Sequence, residues 1–577
     1  MTLFYARMLE FSRLVFVAAV LSFATSASTT NVASANTVPQ DDSAESLSGN
    51  YLAGLVAGLS KDTAVAAFYY AEALKEDPKS GELIERTFVT LLAEGQMTDA
   101  LKLAERIAKQ EPGNEIARLA LGVRGIKTRQ YAQARTYLNK GGRGRAADLT
   151  ATLLSAWTLV GSKEFRRAME TIDRLKGEET FSVFRNLHGG LIANISGRHE
   201  ISDVMLSQAY ATGSNTLRVT DLYGRYLAQR GNRDQAKKVY ADFKKLMPRH
   251  PLVLDQIKAL EEGKALEPPV DTAASGAAEV LYSLGAAGNG EGDELASLIY
   301  LRLSLWLDPT NAMAIMMLGE VFERMGQLGS ANEVYDLVPI NSSFRYNSEL
   351  QVALNLEQLG RSEDSVKQLN SLISHARGLD AYSALGNVYR SRKEFEAAGK
   401  AYSDAIALIG QADSSHWSLF YARGISYERT KQWPKAEADF RKALELWPDQ
   451  PLVLNYLGYS WIDQGINLEE GFKMLKRAVE LRPKDGYIVD SVGWAYYRLG
   501  KYEESLEYME KAVSLKPSDP VINDHLGDVY WRLGRKLEAG FQWNHARDLK
   551  PEPEDLQKIL DKIEKGLPDD TTSASGG

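Results

Sequence analysis

Residues 485–518 read DGYIVDSVGWAYYRLGKYEESLEYMEKAVSLKPS, and residues 519–552, DPVINDHLGDVYWRLGRKLEAGFQWNHARDLKPE, nearly repeat them. Overlaying the two phrases pairs Gly493 with Gly527, Tyr496 with Tyr530, Gly500 with Gly534, Ala512 with Ala546 and Pro517 with Pro551, each at a step of 34 residues. A fixed period of this length marks a stacked repeat architecture. One such unit cannot bury its own apolar face, whereas neighbours in a stack share a continuous core. A chain of 577 residues also exceeds what one ordinary core supports, which agrees with an extended array.

Inside the copy at 485–518 two apolar periodic segments, about 487–499 and 503–515, are joined at Gly500 and closed by Pro517. This predicts a helix, a tight turn, a second helix and a stop. Val489, Val492, Gly493 and Tyr496 fall on one stripe, the expected buried face, and Gly493 and Ala512 stand where the two helices approach most closely. Upstream the same metre returns with Gly424, Tyr427, Ala436, Phe440 and Pro448, then Gly458, Trp461, Ala478 and Pro483. It continues with Gly386, Tyr389, Ala398 and Tyr402, and with Gly319, Phe322, Gly326, Ala331 and Tyr335. Residues 347–372 read as a degenerate copy held by Gly360. Further upstream, Pro78 and Pro112, and Ala100, Ala134 and Ala168, keep the 34-residue step, while residues 181–214 lack most small-residue markers.

Small residues, aromatics and a closing proline at these offsets are similar to the tetratricopeptide repeat (TPR) family. The resemblance implies an all-α fold, a TPR helix-turn-helix solenoid wound as a right-handed superhelix, here in two arrays. The expected order is a signal peptide at 1–35, a disordered stretch at 36–46 and an N-terminal array of about six repeats at 47–260. A linker at 261–276, EEGKALEPPVDTAASG, follows, then a C-terminal array of about eight repeats at 277–553, a capping helix at 554–566 and a disordered tail at 567–577. The glycine-rich stretch 285–294 reads as a flexible turn.

The function classes narrow quickly. Arg7 and Arg13 precede an apolar run from Leu14 to Phe23 and the small residues Ala33, Ser34 and Ala35, the pattern of a secretory signal cleaved after Ala35. Zero cysteines exclude disulfides, thiol nucleophiles and a lipidated N-terminal cysteine, so no lipid anchor is expected. A net charge of -8 offers no basic surface for nucleic acid, and GGRGR at 141–145 reads as a loop. The seven histidines, His188, His199, His250, His375, His416, His525 and His545, contain no pair at metal-ligand spacing, although His525 falls near the inner surface. No serine elbow or phosphate loop is present, and neither an enzyme nor a cofactor is expected.

Each first helix carries a second stripe, opposite the buried one. In the copy at 485–518 it holds Asp490, Trp494, Tyr497 and Arg498; one repeat later, Asp524, Asp528, Trp531 and Arg532. One repeat earlier it holds Asn455, Tyr459, Ile462 and Asp463, and before that Tyr421, Ile425, Glu428 and Arg429. Stacking lines these into a ladder of aromatics, Asp/Asn and Arg, the side chains that most often anchor interfaces. Packing of Trp494 and Trp531 between neighbouring repeats is the competing reading. The TPR resemblance implies a groove that docks a peptide or partner helix, and the partner-binding candidates are Tyr421, Arg429, Asn455, Tyr459, Asp490, Trp494, Tyr497, Arg498, Asp524, Asp528, Trp531 and Arg532.

The wording of residues 420–535 also resembles envelope TPR proteins of alphaproteobacteria. These in turn resemble the lipoprotein adaptor of the carboxyl-terminal processing protease. That resemblance implies a periplasmic, non-catalytic adaptor whose partners are the protease and cell-wall hydrolases. The cysteine that anchors the adaptor is absent here. The alternative is a TPR scaffold in an envelope or polysaccharide export complex.

Overall fold

The computed structural model describes residues 46–139, 145–176, 181–291 and 293–568. The leader, most of the stretch at 36–46, most of GGRGR and the tail from 569 lie outside the described residues. The described helices form fourteen antiparallel pairs and two single helices, Pro251–Glu261 and Pro553–Lys565. No strand occurs among the described residues. The architecture is an all-α helix-turn-helix solenoid.

The repeat signature has a steric origin. On most of the first helices a glycine faces the residue sixteen positions later on the second helix. A Cβ on Gly424 would stand 2.7 Å from Phe440, on Gly386 2.6 Å from Tyr402, on Gly224 2.5 Å from Tyr240 and on Gly527 2.4 Å from Trp543. These distances lie inside contact range, so only glycine admits the large ring. The rings are at most 1% exposed, and each such burial stabilises by about 1.5–3 kcal/mol. Gly493 serves Met509 in the same way, and Ala512 is fully buried beside it. Residues 181–214, expected to lack the markers, keep this one: Gly190 meets Leu206.

The turn within most pairs uses a left-handed residue. Gly500 and Gly534 take it at φ 71° and 77°, while Lys61, Lys393 and Lys431 take it near 60°, at a cost of roughly 1–2 kcal/mol each for a residue bearing a Cβ. Starts are fixed by capping: the Asp519 side chain accepts the amides of Val521 and Ile522, with Pro520 in the first turn, where no amide is needed.

The chain divides into two compact units, Met1–Gln368 and Leu369–Gly577. The expected linker at 261–276 falls within the first of these units. Residues 262–272 do lack regular structure, but helix Ala273–Glu291 begins at once and packs on Arg145–Gly161, inside the first unit. The glycine-rich stretch is likewise helical through Glu291 rather than a flexible turn. Its glycines serve packing: a Cβ on Gly285 would stand 2.9 Å from Leu301 and one on Gly288 3.1 Å from Ser297.

Candidate docking surfaces

A stack of helix pairs turns its first helices toward an inner surface, so that surface is the place to look for a partner's seat. In the first unit it is filled. The hairpin Ala273–Glu291 and Glu294–Leu307 lies against the first helices Gly81–Ala93, Glu115–Lys127, Arg145–Gly161 and Ser182–Ile195. Gly276 sits over Trp157, where a Cβ would come within 2.4 Å of the ring. Arg302 Nε donates to the Ala93 carbonyl at 3.0 Å, Lys127 Nζ to the Leu307 carbonyl at 3.4 Å, and the Thr150 and Tyr300 hydroxyls lie 3.5 Å apart.

A buried ionic cluster fixes the hairpin. Arg218 Nε donates to Glu279 Oε1 at 2.8 Å, with a second bond to Oε2, and Arg218 reaches Asp221 at 3.1 Å. Asp221 also accepts from Arg225 at 3.1 Å and from the Tyr240 hydroxyl at 3.2 Å. Glu279 is 1% exposed and Asp221 fully buried. Val280, Leu281, Ile299, Leu303 and Leu307 join one apolar cluster with Leu83, Phe88, Leu121 and Leu153 of the array. Expelling that set costs on the order of 10 kcal/mol, more than the roughly 8 kcal/mol that a partner of micromolar affinity supplies. The first inner surface is therefore closed by the chain itself.

In the second unit the ladder residues divide into three groups. Asp490, Trp494, Tyr497 and Arg498 join neighbouring pairs. Asp490 is buried and lies 3.0 Å from His525 Nδ1, and Trp494 stacks on His525 at 3.9 Å and on Tyr497 at 4.6 Å. Arg498 bonds the Asp463 carboxylate at 2.9 Å. Burial works against a charge on His525, but the Asp490 carboxylate, with Asp528 and Asp524 beyond it, raises its pKa above the ordinary histidine value.

Asp524, Asp528, Trp531 and Arg532 are taken by the chain's last described helix, Pro553–Lys565, and the residues after it. Lys562 Nζ lies 2.7 Å from both Asp524 and Asp528, Gly566 lies against Trp531, and Arg532 donates to the Pro568 carbonyl at 2.8 Å. Asp528 also accepts the Trp543 indole N–H at 2.9 Å. These four are not an open seat: the helix stands where the first helix of a further pair would stand, and it uses them as stacking contacts.

The third group faces outward. Arg429 is exposed and pairs with the adjacent Glu428 at 3.5 Å. Tyr459 is half-buried, its hydroxyl pKa pushed up to about 12 by burial and then by the Asp463 and Asp490 charges. Asn455 is half-buried one turn away, and its buried Oδ1 accepts no hydrogen bond. Tyr421 packs among Trp417, Phe440 and Tyr456 and contributes one edge of this surface. The sequence reading missed Asn387 and Arg390 on Leu379–Ser391, which hold the same offsets from Gly386 that Ile425 and Glu428 hold from Gly424. Counting from the signature glycine would have found them. Asn387 is exposed and accepts the Tyr402 hydroxyl at 2.7 Å.

Among the described residues no group of three or more His, Asp or Glu is placed to hold a metal, and no helix is long and apolar enough to cross a membrane.

Residues 91–148 and 421–487 match models described as tetratricopeptide repeat, and residues 493–534 match one described as TPR repeat. Segments of both units thus match tetratricopeptide repeat models, a class of module that in general binds proteins or peptides. A TPR repeat-containing protein of Pseudomonas aeruginosa is 25% identical over 186 residues, 32% of this chain and 31% of the relative, so the match spans about a third of that relative's length. Among solved structures, a tetratricopeptide repeat protein from Parabacteroides merdae is 18% identical with a TM-score of 0.37, covering 43% of this chain and 97% of that one. The Cut9–Hcn1 hetero-tetramer of APC/C (12% identical, TM-score 0.38) covers 90% of this chain and 96% of that one. Yeast Tom70 (13% identical, TM-score 0.31) covers 90% and 95%.

Proposed function

We propose that this protein is a non-catalytic adaptor that docks partner proteins on the inner face of its second unit, along the first helices Leu379–Ser391, Trp417–Arg429, Pro451–Asp463 and Gly486–Arg498. One contrast carries the reading. The corresponding surface of the first unit is filled by the chain's own hairpin, whereas Asn387 and Arg429 are exposed and Asn455 and Tyr459 half-buried on the first helices of the second unit. Exposed Arg beside half-buried aromatic rings suits a partner segment that supplies a carboxylate and apolar side chains.

The leader pattern at 1–35 supports a periplasmic location. The wording of residues 420–535 supports delivery of substrates such as cell-wall hydrolases to a carboxyl-terminal processing protease. In-cell crosslinking and affinity purification of the tagged protein, comparing wild type with Arg429→Glu/Tyr459→Ala, tests this. Recovery of the protease with wild type and its loss with an equally stable variant is the expected result. Recovery of outer-membrane export components instead would favour the scaffold reading, and identical partners with both proteins would refute this docking face.

A further inference from the structure

The net charge of -8 hides an uneven distribution. Residues 101–250 hold 27 Lys and Arg against 14 Asp and Glu, a net of +13, while the rest of the chain holds 41 against 62, a net of -21. A basic excess of this size bears on partners rather than on fold. Much of it lies on three successive second helices, Phe165–Ile172, His199–Gly213 and Arg233–Leu246. Ala168, Ser202 and Ala236 stand 34 residues apart and are all fully buried, so the three helices turn equivalent positions outward. They also lie side by side. Ile172 and Met205 both meet Gly189, Arg198 stands 5.6 Å over the Phe165 ring, and Asp242 lies close enough to Tyr210 to add to burial in raising its phenol pKa.

On the two outer helices and the turns that lead into them, Lys163, Arg230, Arg233, Lys238 and Lys244 are exposed and form no ion pair among the described residues. Most acids of this face are engaged: Glu164 with Arg135 and Arg167, Glu170 with Arg166 at 2.9 Å, Asp242 with Lys245 at 2.7 Å and Asp203 with the Tyr226 hydroxyl, which leaves Glu200 and Asp234. The middle helix differs. Ile201 and Val204 are 41% and 56% exposed, at positions where the flanking helices carry Arg167 and Gln235, and Glu170 and Lys238. Two branched apolar side chains therefore crest a face rimmed by unpaired cations. We propose that this face docks on a bilayer containing anionic phospholipid, its cations meeting the phosphates and Ile201 and Val204 entering between the headgroups.

Charge and the crest together select that occupant. The unpaired cations call for an anionic surface, and the crest calls for one with an apolar layer just beneath its charges. A bilayer interface supplies both, and stable attachment to it takes both signals. A nucleic acid would use the cations alone and leave the crest with nothing to bury against. Protein interfaces are anchored by Trp, Tyr and Arg packed at their centre, and among the described residues of 163–246 no aromatic ring is exposed. Attachment through a few cations and two aliphatic side chains is reversible and weakens as salt rises. This contact is separate from the docking face of the second unit and does not depend on it.

Co-sedimentation of the full chain with vesicles of phosphatidylcholine, with and without phosphatidylglycerol, tests the proposal. Wild type is expected to bind the anionic vesicles at least about tenfold more tightly than the neutral ones, and to release them at about 1 M salt. Arg233→Glu/Lys238→Glu should lose that preference, and Ile201→Ser/Val204→Ser should weaken binding by roughly tenfold, both with the melting temperature of wild type because all four side chains are exposed. Because the chain has no cysteine, Val204→Cys carrying an environment-sensitive fluorophore supplies a second measurement. It should brighten on anionic vesicles, whereas the same label on Leu537→Cys, at another exposed position (76%), should not. Equal binding to both vesicles, binding unchanged in the charge-reversed variant, or equal responses at 204 and 537 would each overturn the proposal. Binding untouched by Ile201→Ser/Val204→Ser and competed away by duplex DNA would overturn it in favour of a soluble polyanion.

Discussion

Replacing Arg218 by methionine should destabilise the first unit by about 3–5 kcal/mol, because it strands Glu279 as a buried carboxylate without its ion-pair partner. Glu279 is 1% exposed, and Arg218 donates to both of its oxygens. Asp221 fares better, since Arg225 and Tyr240 still hold it at 3.1 and 3.2 Å. The loss therefore belongs mainly to one pair, and removing both members should recover most of it: a buried ion pair replaced by apolar side chains of similar volume is often close to neutral. Urea titration followed by far-UV circular dichroism, on Arg218→Met, Glu279→Met and the double variant, measures the coupling. The structure predicts a coupling of roughly 2–4 kcal/mol, with the double variant more stable than Arg218→Met alone. A double variant no more stable than Arg218→Met, or a single variant within about 0.5 kcal/mol of wild type, would refute the ionic latch.

Two pH dependences of opposite sign are expected. Burial holds the His188 pKa down at about 3 and that of His250 at about 4. Their unfolded forms bind protons below pH 6.5 while the folded forms do not. The first unit should lose stability as pH falls from 6.5 toward 4, by up to about 1.4 kcal/mol per pH unit for each histidine. His525 is raised, so its contribution to the second unit is fully present below 6.5 and is lost as pH rises through the folded value. Calorimetric melting at several pH values should show both trends, and His525→Gln should abolish only the second. Gly424→Val should cost about 1–3 kcal/mol by overpacking against Phe440, and a melting temperature equal to wild type would contradict the steric account of the signature glycine.

Much of the fold was legible because a solenoid writes local rules repeatedly. The turn at Gly500, the stop at Pro517 and the close approach at Gly493 depend on residues within one pair, and observed helices Gly486–Arg498 and Tyr502–Leu515 start and end within a residue of the expected segments. The filled groove was not legible, because its determinants are distant in sequence. Arg218 and Glu279 are 61 residues apart, Ala93 and Arg302 are 209 apart, and nothing local to either announces the other. Helix Ala273–Glu291 was also masked by composition: its Ala and Gly read as a linker and a flexible turn, yet small residues are what let it lie against Trp157 and Leu301. The ladder was legible as a register but not as a surface. Period places Asp490, Asn455 and Asp524 in equivalent rows, whereas the neighbour decides whether a row faces a partner or the next repeat, as His525 does for Asp490 and Lys562 for Asp524.

The claim on which the rest depends is that the hairpin at 273–307 occupies the inner surface of the first array. In this cysteine-free chain, Thr150→Cys/Tyr300→Cys treated with a short bis-maleimide reads it directly, since the two native hydroxyls lie 3.5 Å apart. Rapid intramolecular cross-linking, detected as a joined peptide pair after proteolysis and absent from either single variant, is the predicted result. Cross-linking no faster than that of a pair placed at exposed Val204 and Leu254 would mean that the hairpin lies elsewhere, and that the first array, too, is open to partners.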